Sequence, residues 1–389
     1  MQTKMEIENR NRIIIIDYEP YRKYKRQRFF LDEFLQHEFI VQYWCLCELL
    51  TYTRRANYLH KDKDDEVIYI KTERELSNRI NILSKSTIVI MELGINFETL
   101  PIIRRLKSKS IITLRIDYFR NFGSILSRKS TVLEKMKKMN IFRIKNKIAY
   151  FIDKIYKFSQ YDCLFLTGQK INNYQHPNIK SLTYFDVYTN QSVKEPILTE
   201  KYIVFLDMYF AKHPDWTATA GIPRNKQLSE DLYYQKMNKA FDKIESQTGI
   251  KIVVAAHPQS QYSNEYKHRQ IFYNKTAELV KYSEFILTHH SLAISYAILN
   301  NKKIFLLFFD DFFNKKSYLN GLYLSMLQMQ NEFDGTLINI DHDFVLHDSY
   351  QINLEKYTQF KKNYLYSDKY PLSNFEIVYN EIKRLKQER

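Results

Sequence analysis

Short runs of apolar, mostly β-branched residues recur along the chain, and stretches with helical spacing separate them. The first run, residues 12–16, reads Arg-Ile-Ile-Ile-Ile and ends at Asp17. Segments 73–82 and 97–106 place their apolar residues on one face of a helix. Strands that alternate with helices predict βαβ units and a mainly parallel sheet. The other predicted strands of this first series are 67–70, 87–91, 111–116 and 163–166.

A second series of the same kind begins at Lys201, after the polar, proline-containing segment 189–200. We therefore predict an α/β chain with two Rossmann-like domains that face each other across a central crevice. The predicted domains cover residues 1–190 and 200–355, and residues 356–389 are predicted to form C-terminal helices that can cross back to the first domain. The predicted strands of the second series are 202–206, 251–255, 285–288, 304–308 and 336–340.

The charge balance favours an anionic partner. The 389 residues include 59 Lys and Arg against 44 Asp and Glu, a formal net charge of +15. A nucleic acid, a nucleotide-linked substrate and an anionic membrane surface would each fit this charge.

No stretch approaches the roughly 18 apolar residues of a membrane helix, and no secretory signal is visible. The three cysteines, Cys45, Cys47 and Cys163, do not have the spacing of zinc ligands, and their odd number leaves one without a disulfide partner. We therefore expect a reduced, cytoplasmic chain.

A histidine and a proline follow the apolar run Ile-Lys-Ile-Val-Val-Ala-Ala in the second series. Pro258 biases His257 towards an extended conformation, which would project the imidazole from the tip of the strand. Ligands of open parallel sheets bind at the carboxyl ends of the strands. An imidazole at this place could hold the phosphate of a departing nucleotide, although it could also simply end the strand.

The next strand of the series ends in Thr288-His289-His290-Ser291 and leads towards Leu292 and a helix-like run. Ser291 is a candidate N-cap, and the first turn of the helix would attract a phosphate through its N–H groups. Together with His257 and Pro258, the predicted nucleotide-binding residues are Thr288, His290, Ser291 and Leu292. The alternative is that Ser291 only caps the helix and the histidines only complete the loop.

Several carboxylates also lie where predicted strands end. Glu92, in Met-Glu-Leu-Gly, follows the strand at 87–91 and could take a proton from an acceptor hydroxyl. Asp17, Asp117 and Asp207 end other strands, so each is an alternative base or a candidate for binding sugar or acceptor. For each of them, a helix cap or a solvated surface position is the competing interpretation.

The segment 128–157 interleaves Lys and Arg with apolar residues. A basic amphipathic helix is typical of a membrane surface contact, although solvated faces of a lysine-rich chain are the more common explanation. No Walker loop, G-x-G-x-x-G, H-E-x-x-H or G-x-S-x-G pattern occurs. Their absence argues against nucleotide hydrolases, dinucleotide enzymes, zinc peptidases and α/β-hydrolases.

Together these residues resemble bacterial glycosyltransferases of the two-Rossmann-domain type (GT-B), and most closely the sialyltransferase-like group that uses CMP-activated nonulosonic acids. His257-Pro258 resembles the His-Pro motif of that group, and the turn at Ser291 resembles its serine motif. Glu92-Leu93-Gly94 is similar to its acidic-acidic-Gly motif, with Leu93 at the second acidic position. The resemblance implies that Glu92 and His257 are catalytic, that the first domain binds the acceptor, and that the second binds the donor nucleotide.

The resemblance implies an inverting, metal-independent glycosyltransferase that moves a sialic, legionaminic or pseudaminic acid from a CMP donor to a bacterial surface glycan. No cofactor besides the donor and no metal is expected. The acceptor would be a glycan or lipid-linked glycan, and the enzyme would lie in the cytoplasm, in peripheral contact with an anionic inner membrane. The alternatives are a CDP-glycerol or CDP-ribitol phosphotransferase, another GT-B enzyme, or, more distantly, a basic nucleic-acid-binding protein. Nucleic acid is not the expected partner, because such a protein would not need histidines at strand ends.

Overall fold

The computed structural model describes residues 11–51, 61–123, 141–171, 174–213, 228–314, 317, 319–346 and 351–389, without the side chains of 141–143. The strands of this part of the chain form two parallel sheets, one of seven strands and one of six. The prediction of an α/β fold with two Rossmann-like domains is therefore confirmed.

The first sheet has the strand order β3-β2-β1-β4-β5-β6-β7. Its central strand β1 is buried on both faces, and Ile13, Ile14, Ile15 and Ile16 are completely inaccessible to solvent. A run of branched apolar residues suits such a position, because helices cover both faces of a parallel sheet. The strands are β1 (Arg12–Asp17), β2 (Ile40–Cys45), β3 (Val67–Tyr69), β4 (Thr87–Glu92), β5 (Ile112–Asp117), β6 (Cys163–Thr167) and β7 (Ile179–Leu182).

The chain order reverses between β1 and β4, so the crevice at the carboxyl edge of this sheet opens there. Asp17 and Glu92 are paired in register at the last positions of these two strands. The helices of this part are α1 (Tyr24–Arg28), α2 (Leu31–Gln36), α3 (Glu73–Asn81), α4 (Leu100–Ser108), α5 (Arg120–Gly123), α6 (Ile141–Tyr156) and α7 (Phe185–Ser192).

The second sheet repeats the same winding, with the order β10-β9-β8-β11-β12-β13. Its switch point lies between β8 and β11, which pair in parallel from Ile286 to Thr288. The strands are β8 (Tyr202–Leu206), β9 (Lys251–Ala256), β10 (Ile271–Tyr273), β11 (Phe285–Thr288), β12 (Lys303–Phe308) and β13 (Thr336–Asn339). The helices are α8 (Glu230–Thr248), α9 (Thr276–Tyr282), α10 (Ile294–Leu299), a 3-10 turn (Asp310–Phe313) and α11 (Leu319–Phe333).

The C-terminal segment returns to the first sheet. It contains α12 (Leu354–Phe360), a π-helical turn (Lys361–Leu365) and α13 (Asn374–Gln387). Asn374 exchanges two hydrogen bonds with the backbone of Thr183, just after β7, at 2.6 and 2.8 Å. Phe375 packs against Phe30 and Phe34, with ring centroids 6.0 and 5.3 Å apart. These contacts join the end of the chain to the first domain.

None of the helices in the described ranges is both long and apolar enough to cross a membrane. Within the same ranges, no group of three or more His, Cys, Asp or Glu residues is arranged to hold a metal ion.

Candidate active site

A cavity of about 410 Å³ lies between the carboxyl edges of the two sheets, and we call it the crevice. The loop after β1 and helix α1 form one wall, with Glu19, Arg22 and Arg28. The loop after β9 forms the opposite wall, with His257 and Pro258. Both strand-end loops therefore face the same space, which is the place where doubly wound sheets bind ligands.

His257 follows β9 directly and is largely buried in the crevice wall. The backbone N–H of Gln259 donates to its Nδ1 at 3.3 Å, so Nε2 carries the proton of the neutral ring. Burial, and then the neighbouring His213 ring with its centroid 5.0 Å away, lower the pKa of His257 to about 4. His257 is therefore neutral near pH 7, and its Nε2–H can donate a hydrogen bond into the crevice.

Asp207 directly follows β8 and forms hydrogen bonds with the loop that begins at His257. Its buried carboxylate accepts hydrogen bonds from the hydroxyl groups of Tyr262 and Tyr266 and from the backbone N–H of Tyr209. It also accepts, at 3.4 Å, from the backbone N–H of His257. These contacts occupy the carboxylate and argue against the predicted role of Asp207 in binding sugar or acceptor. Its place in the structure is that of a positioning residue for His257.

Glu92 ends β4 at the switch point of the first sheet, as predicted, but its side chain lies behind the crevice wall. Its Oε2 is 3.7 Å from Nη2 of Arg28, and only 12% of the side chain is exposed. Its Oε1 has no hydrogen-bond partner among the described residues. Burial raises the pKa of Glu92 to about 8, against the opposing effect of Arg28. A buried carboxyl group with a raised pKa and an unsatisfied oxygen is typical of a functional site.

Arg28 connects Glu92 with the crevice. Its guanidinium lies over the Phe119 ring at 4.6 Å and lines the crevice opposite His257. Its Nε is buried and has no hydrogen-bond partner in the described part of the chain. The guanidinium is thus held by one carboxyl group and aromatic faces, and it places a positive charge at the crevice wall.

Two of the predicted carboxylates lie in other settings. Asp17 is buried and accepts from Lys25 Nζ at 2.6 Å, from the Tyr43 hydroxyl and from the backbone N–H of Glu19. This occupancy argues against a role for Asp17 as base or acceptor ligand. Asp117 pairs with Arg115 at 3.1 Å and lines a larger cavity of about 1030 Å³ in the first domain, so an acceptor role stays open.

The turn after β11 is built differently from the prediction. The following helix α10 begins at Ile294 with Ala293 as its N-cap, so the prediction that Ser291 caps it is wrong. Ser291 Oγ instead accepts from the N–H of Ala293 at 3.2 Å, within the preceding turn. Thr288 is fully buried and donates to the Leu206 carbonyl, so its hydroxyl ties β11 to β8 and is not available to a nucleotide.

The two histidines of this turn have different surroundings. His289 is fully buried. Its Nε2 accepts a hydrogen bond from the Tyr233 hydroxyl at 3.0 Å, and its Nδ1–H donates to the Leu307 carbonyl at 2.6 Å. It is a core histidine. His290 is partly exposed at the carboxyl edge and does not line the crevice.

An aromatic cavity of about 670 Å³ adjoins the crevice, and Arg28, Phe119 and Pro258 line both. Leu292 and Tyr296 of the second domain lie on one side, and aromatic residues of the first domain lie on the other. Its mixed polar and aromatic lining suits a nucleoside, whose base can stack on rings. The first-domain aromatic residues are Tyr24, Phe30, Tyr118, Phe119, Tyr184, Phe185 and Tyr188.

The structure thus brings His257, Pro258 and Leu292 to connected cavities, whereas Glu92 lies behind Arg28 on the wall of the first domain. Sequence reasoning missed Glu19, Arg22, Arg28 and His213 in the crevice walls. The only signal was local: Glu19-Pro20 follows a predicted strand end, and the tract after Asp207 contains a second His-Pro dipeptide. Arg28 lies within a basic run, 22–28, that gives no reason to single it out.

No protein-family model matches the chain, and no curated protein sequence matches it. Solved structures do. The wall teichoic acid polymerase TagF, as its H548A variant, superposes with a TM-score of 0.56 at 11% identity, covering 97% of this chain and 90% of that one. The H444N variant gives a TM-score of 0.53. The UDP-GlcNAc 2-epimerase of Methanocaldococcus jannaschii gives 0.45 at 12% identity, covering 97% and 99%. At these identities the TagF likeness shows a shared two-domain GT-B fold.

Proposed function

We propose that the chain is a glycosyltransferase of the GT-B type that moves a nonulosonic acid from a CMP donor to a bacterial surface glycan. One observation carries the proposal: the crevice between the two domains has Arg28 and Glu19 on one wall and the neutral donor His257 on the other. A cationic side chain and a neutral hydrogen-bond donor face the same space, which fits a sugar nucleotide that carries both a phosphate and a carboxylate.

On the donor side, the cytidine would occupy the aromatic cavity beside Leu292 and Tyr296. Its phosphate would then lie near His257, whose Nε2–H can donate to a phosphate oxygen as the bond to the sugar breaks. Arg28, whose side chain lines the crevice, would hold the carboxylate of the nonulosonic acid through its guanidinium. The His257 imidazole would stabilise the charge of the leaving CMP, and we propose that no metal is needed.

On the acceptor side, a hydroxyl group would enter from the first domain. Glu92 would take its proton while the oxygen attacks the anomeric carbon, and the bond from that carbon to the CMP oxygen would break on the opposite face. This displacement inverts the configuration. Binding of the donor carboxylate by Arg28 would draw the guanidinium away from Glu92 and open a path to its carboxyl group.

The first test is CMP release from CMP-sialic, CMP-legionaminic and CMP-pseudaminic acids in the presence of EDTA. His257→Ala should lower kcat by on the order of a hundredfold, because it removes a donor to the developing charge. The exposed His268 gives the matched control His268→Ala, which should act like the wild type. Equal rates for the two variants would remove His257 from the mechanism.

A CDP-glycerol or CDP-ribitol phosphotransferase is the second candidate, because TagF, named a wall teichoic acid polymerase, has the same fold. Both classes of donor would release CMP. Thermal shifts with CMP, CDP, UDP and GDP would identify the nucleotide, since a bound ligand stabilises the folded state by mass action. Turnover of CDP-glycerol or CDP-ribitol alone would overturn the nonulosonic acid proposal and keep the crevice assignment.

A further inference from the structure

Helix α6 exposes a continuous apolar stripe to solvent. Ile144, Ile148, Phe151 and Ile155 are 42, 54, 62 and 57% exposed. Their spacing of four, three and four residues places them on one face of the helix. Isolated exposed apolar residues are common, but a stripe three turns long is not.

The opposite face of the same helix holds it to the first domain. Ala149 and Asp153 are buried, and Asp153 accepts from the backbone N–H and the hydroxyl of Ser159. Asn146 accepts from the backbone N–H of Phe97 at 3.2 Å. The stripe points away from the contacts that anchor α6.

Cationic residues flank the stripe on both sides. On a helical projection, Lys145 lies on one side and Lys147 and Lys154 on the other, and all three side chains are exposed. The helix has one acidic residue, Asp153, which is buried on the anchored face. A stripe of isoleucine and phenylalanine between lysines has the composition of a helix that lies in the plane of a lipid surface.

The stripe lies next to the large first-domain cavity of about 1030 Å³. Tyr150 and Lys154 in the C-terminal half of α6, and Lys157 directly after the helix, line this cavity. Gly94 and Asp117 line it at the carboxyl edge of the sheet. A surface in contact with α6 would thus adjoin a cavity that reaches the sheet edge beside Glu92.

We propose that the apolar stripe of α6 inserts into an anionic lipid bilayer, with its flanking lysines on the lipid phosphates. A second copy of the chain fits the stripe less well, because an isologous contact would bring the lysines of the two helices together. The proposal does not depend on the identity of the donor.

The experiment is co-sedimentation of the full chain with vesicles of phosphatidylcholine, with and without phosphatidylglycerol. We expect binding that requires phosphatidylglycerol and falls as salt rises. The double variant Ile148→Ser/Phe151→Ser should bind at least about tenfold more weakly, because two inserted side chains are lost. The matched control, Ile82→Ser/Leu354→Ser, removes two exposed apolar side chains on other elements and should bind as the wild type does.

Lys145→Gln/Lys154→Gln gives a second, independent variant, which should weaken binding to the anionic vesicles and flatten its salt dependence. Circular dichroism and a thermal melt of each variant would show that α6 and the domain still fold. Failure of the wild type to bind the anionic vesicles would overturn the proposal, as would equal binding by the stripe variant. A dimer in sedimentation velocity that the stripe variant dissociates would assign the stripe to a second copy instead.

Discussion

Glu19 and Glu92 are the two candidates for the base of the proposed transfer, and their settings differ. Glu19 lines the crevice and pairs with Lys25 at 3.2 Å, with 39% of its side chain exposed. Glu92 lies behind Arg28 with one unsatisfied oxygen. Burial raises the pKa of Glu92 and so increases its strength as a base. The structure therefore favours Glu92 on electrostatic grounds and Glu19 on access.

We expect Glu92→Gln to reduce transfer at least about a hundredfold while CMP binding is retained, because the amide keeps the shape and cannot take the proton. Glu19→Gln should reduce it by less than about tenfold. Steady-state kinetics with saturating CMP-sugar, and a thermal shift with CMP, would measure both effects. The reverse order of the two variants would assign the base to Glu19.

The environments of Glu92 and His257 predict the pH dependence of the proposed reaction. Because burial raises the pKa of Glu92 to about 8, a growing fraction becomes ionised as pH rises, and kcat/KM should increase up to about pH 8 and then level off. His257, with its pKa lowered to about 4, stays neutral across this range and should add no second limb between pH 5 and 8. A profile of kcat/KM against pH would check this. A flat profile from pH 6 to 9 would exclude Glu92 as the ionising base.

At the scale of single elements, the join between the C-terminal segment and β6 depends on one glycine. Gly168 has a φ of +72°, and a Cβ there would lie 2.2 Å from the carbonyl oxygen of Asn363. Gly249, the C-cap of α8, has a similar φ of +69° with nothing within 4 Å. The two positions share the backbone conformation and differ only in the neighbouring chain.

We therefore expect Gly249→Ala to lower the free energy of unfolding by about 1 kcal/mol, the usual effect of a left-handed conformation on alanine. Gly168→Ala should lower it by about 3 kcal/mol or more, because the backbone of the C-terminal segment must also move. Urea unfolding of the two variants would measure the difference. Equal losses would mean that the C-terminal segment can shift away from β6 without strain.

The elements that sequence reasoning found were the buried central strands, and those that it missed have physical reasons. Strand β2 lies within the mainly apolar run 39–50, which Gln42 and Glu48 interrupt without a regular spacing, so the run gives no clear period from which to set the limits of the strand. Strands β7 and β10 are edge strands of four and three residues. β7 contains the polar residues Lys180 and Ser181, and β10, Ile-Phe-Tyr, is too short to show a period. Helix α7 covers part of the polar segment 189–200 that was predicted to be a linker.

The candidate site was predictable only where the fold itself dictates position. His257 and Glu92 end strands, so their place at the sheet edges followed from the pattern of apolar runs. The contacts that decide chemistry did not follow, because Arg28 reaches Glu92 from a separate helix across 64 residues of sequence. His289 and His290 are adjacent in sequence, yet one is in the core and the other partly exposed, which only the packing determines.

At the scale of the whole molecule, helix α7 joins the two domains. Its Asp186 is buried and accepts a hydrogen bond from the hydroxyl of Ser295 on α10. Asn190 of α7 accepts from Asn300 at 2.7 Å, and Lys281 of α9 donates to the Val193 carbonyl at 2.7 Å. Movement of one domain relative to the other must therefore break or carry along these contacts.

Asp186 makes this interface sensitive to pH. Burial raises its pKa from 3.8 to about 7, against the lowering effect of the hydrogen bond from Ser295. Between these two values the folded chain keeps the proton, while the unfolded chain has already released it. The free energy of unfolding should therefore fall as pH rises from about 4 to about 7, and no further above that.

Asp186→Asn keeps the acceptor for Ser295 and removes the ionisation, so we expect its stability to lack this decline. The quantity to compare is the free energy of unfolding of Asp186→Asn minus that of the wild type. It should be larger at pH 7.5 than at pH 4.5 by on the order of 2 kcal/mol, because the pKa of the buried carboxyl group is raised by several units. Urea unfolding at the two pH values would measure this difference. Asp231→Asn, at an exposed position on α8, serves as the control and should keep the wild-type slope. A wild-type slope in Asp186→Asn as well would mean that the carboxyl group ionises freely, and that the contact between α7 and α10 opens without cost near neutral pH.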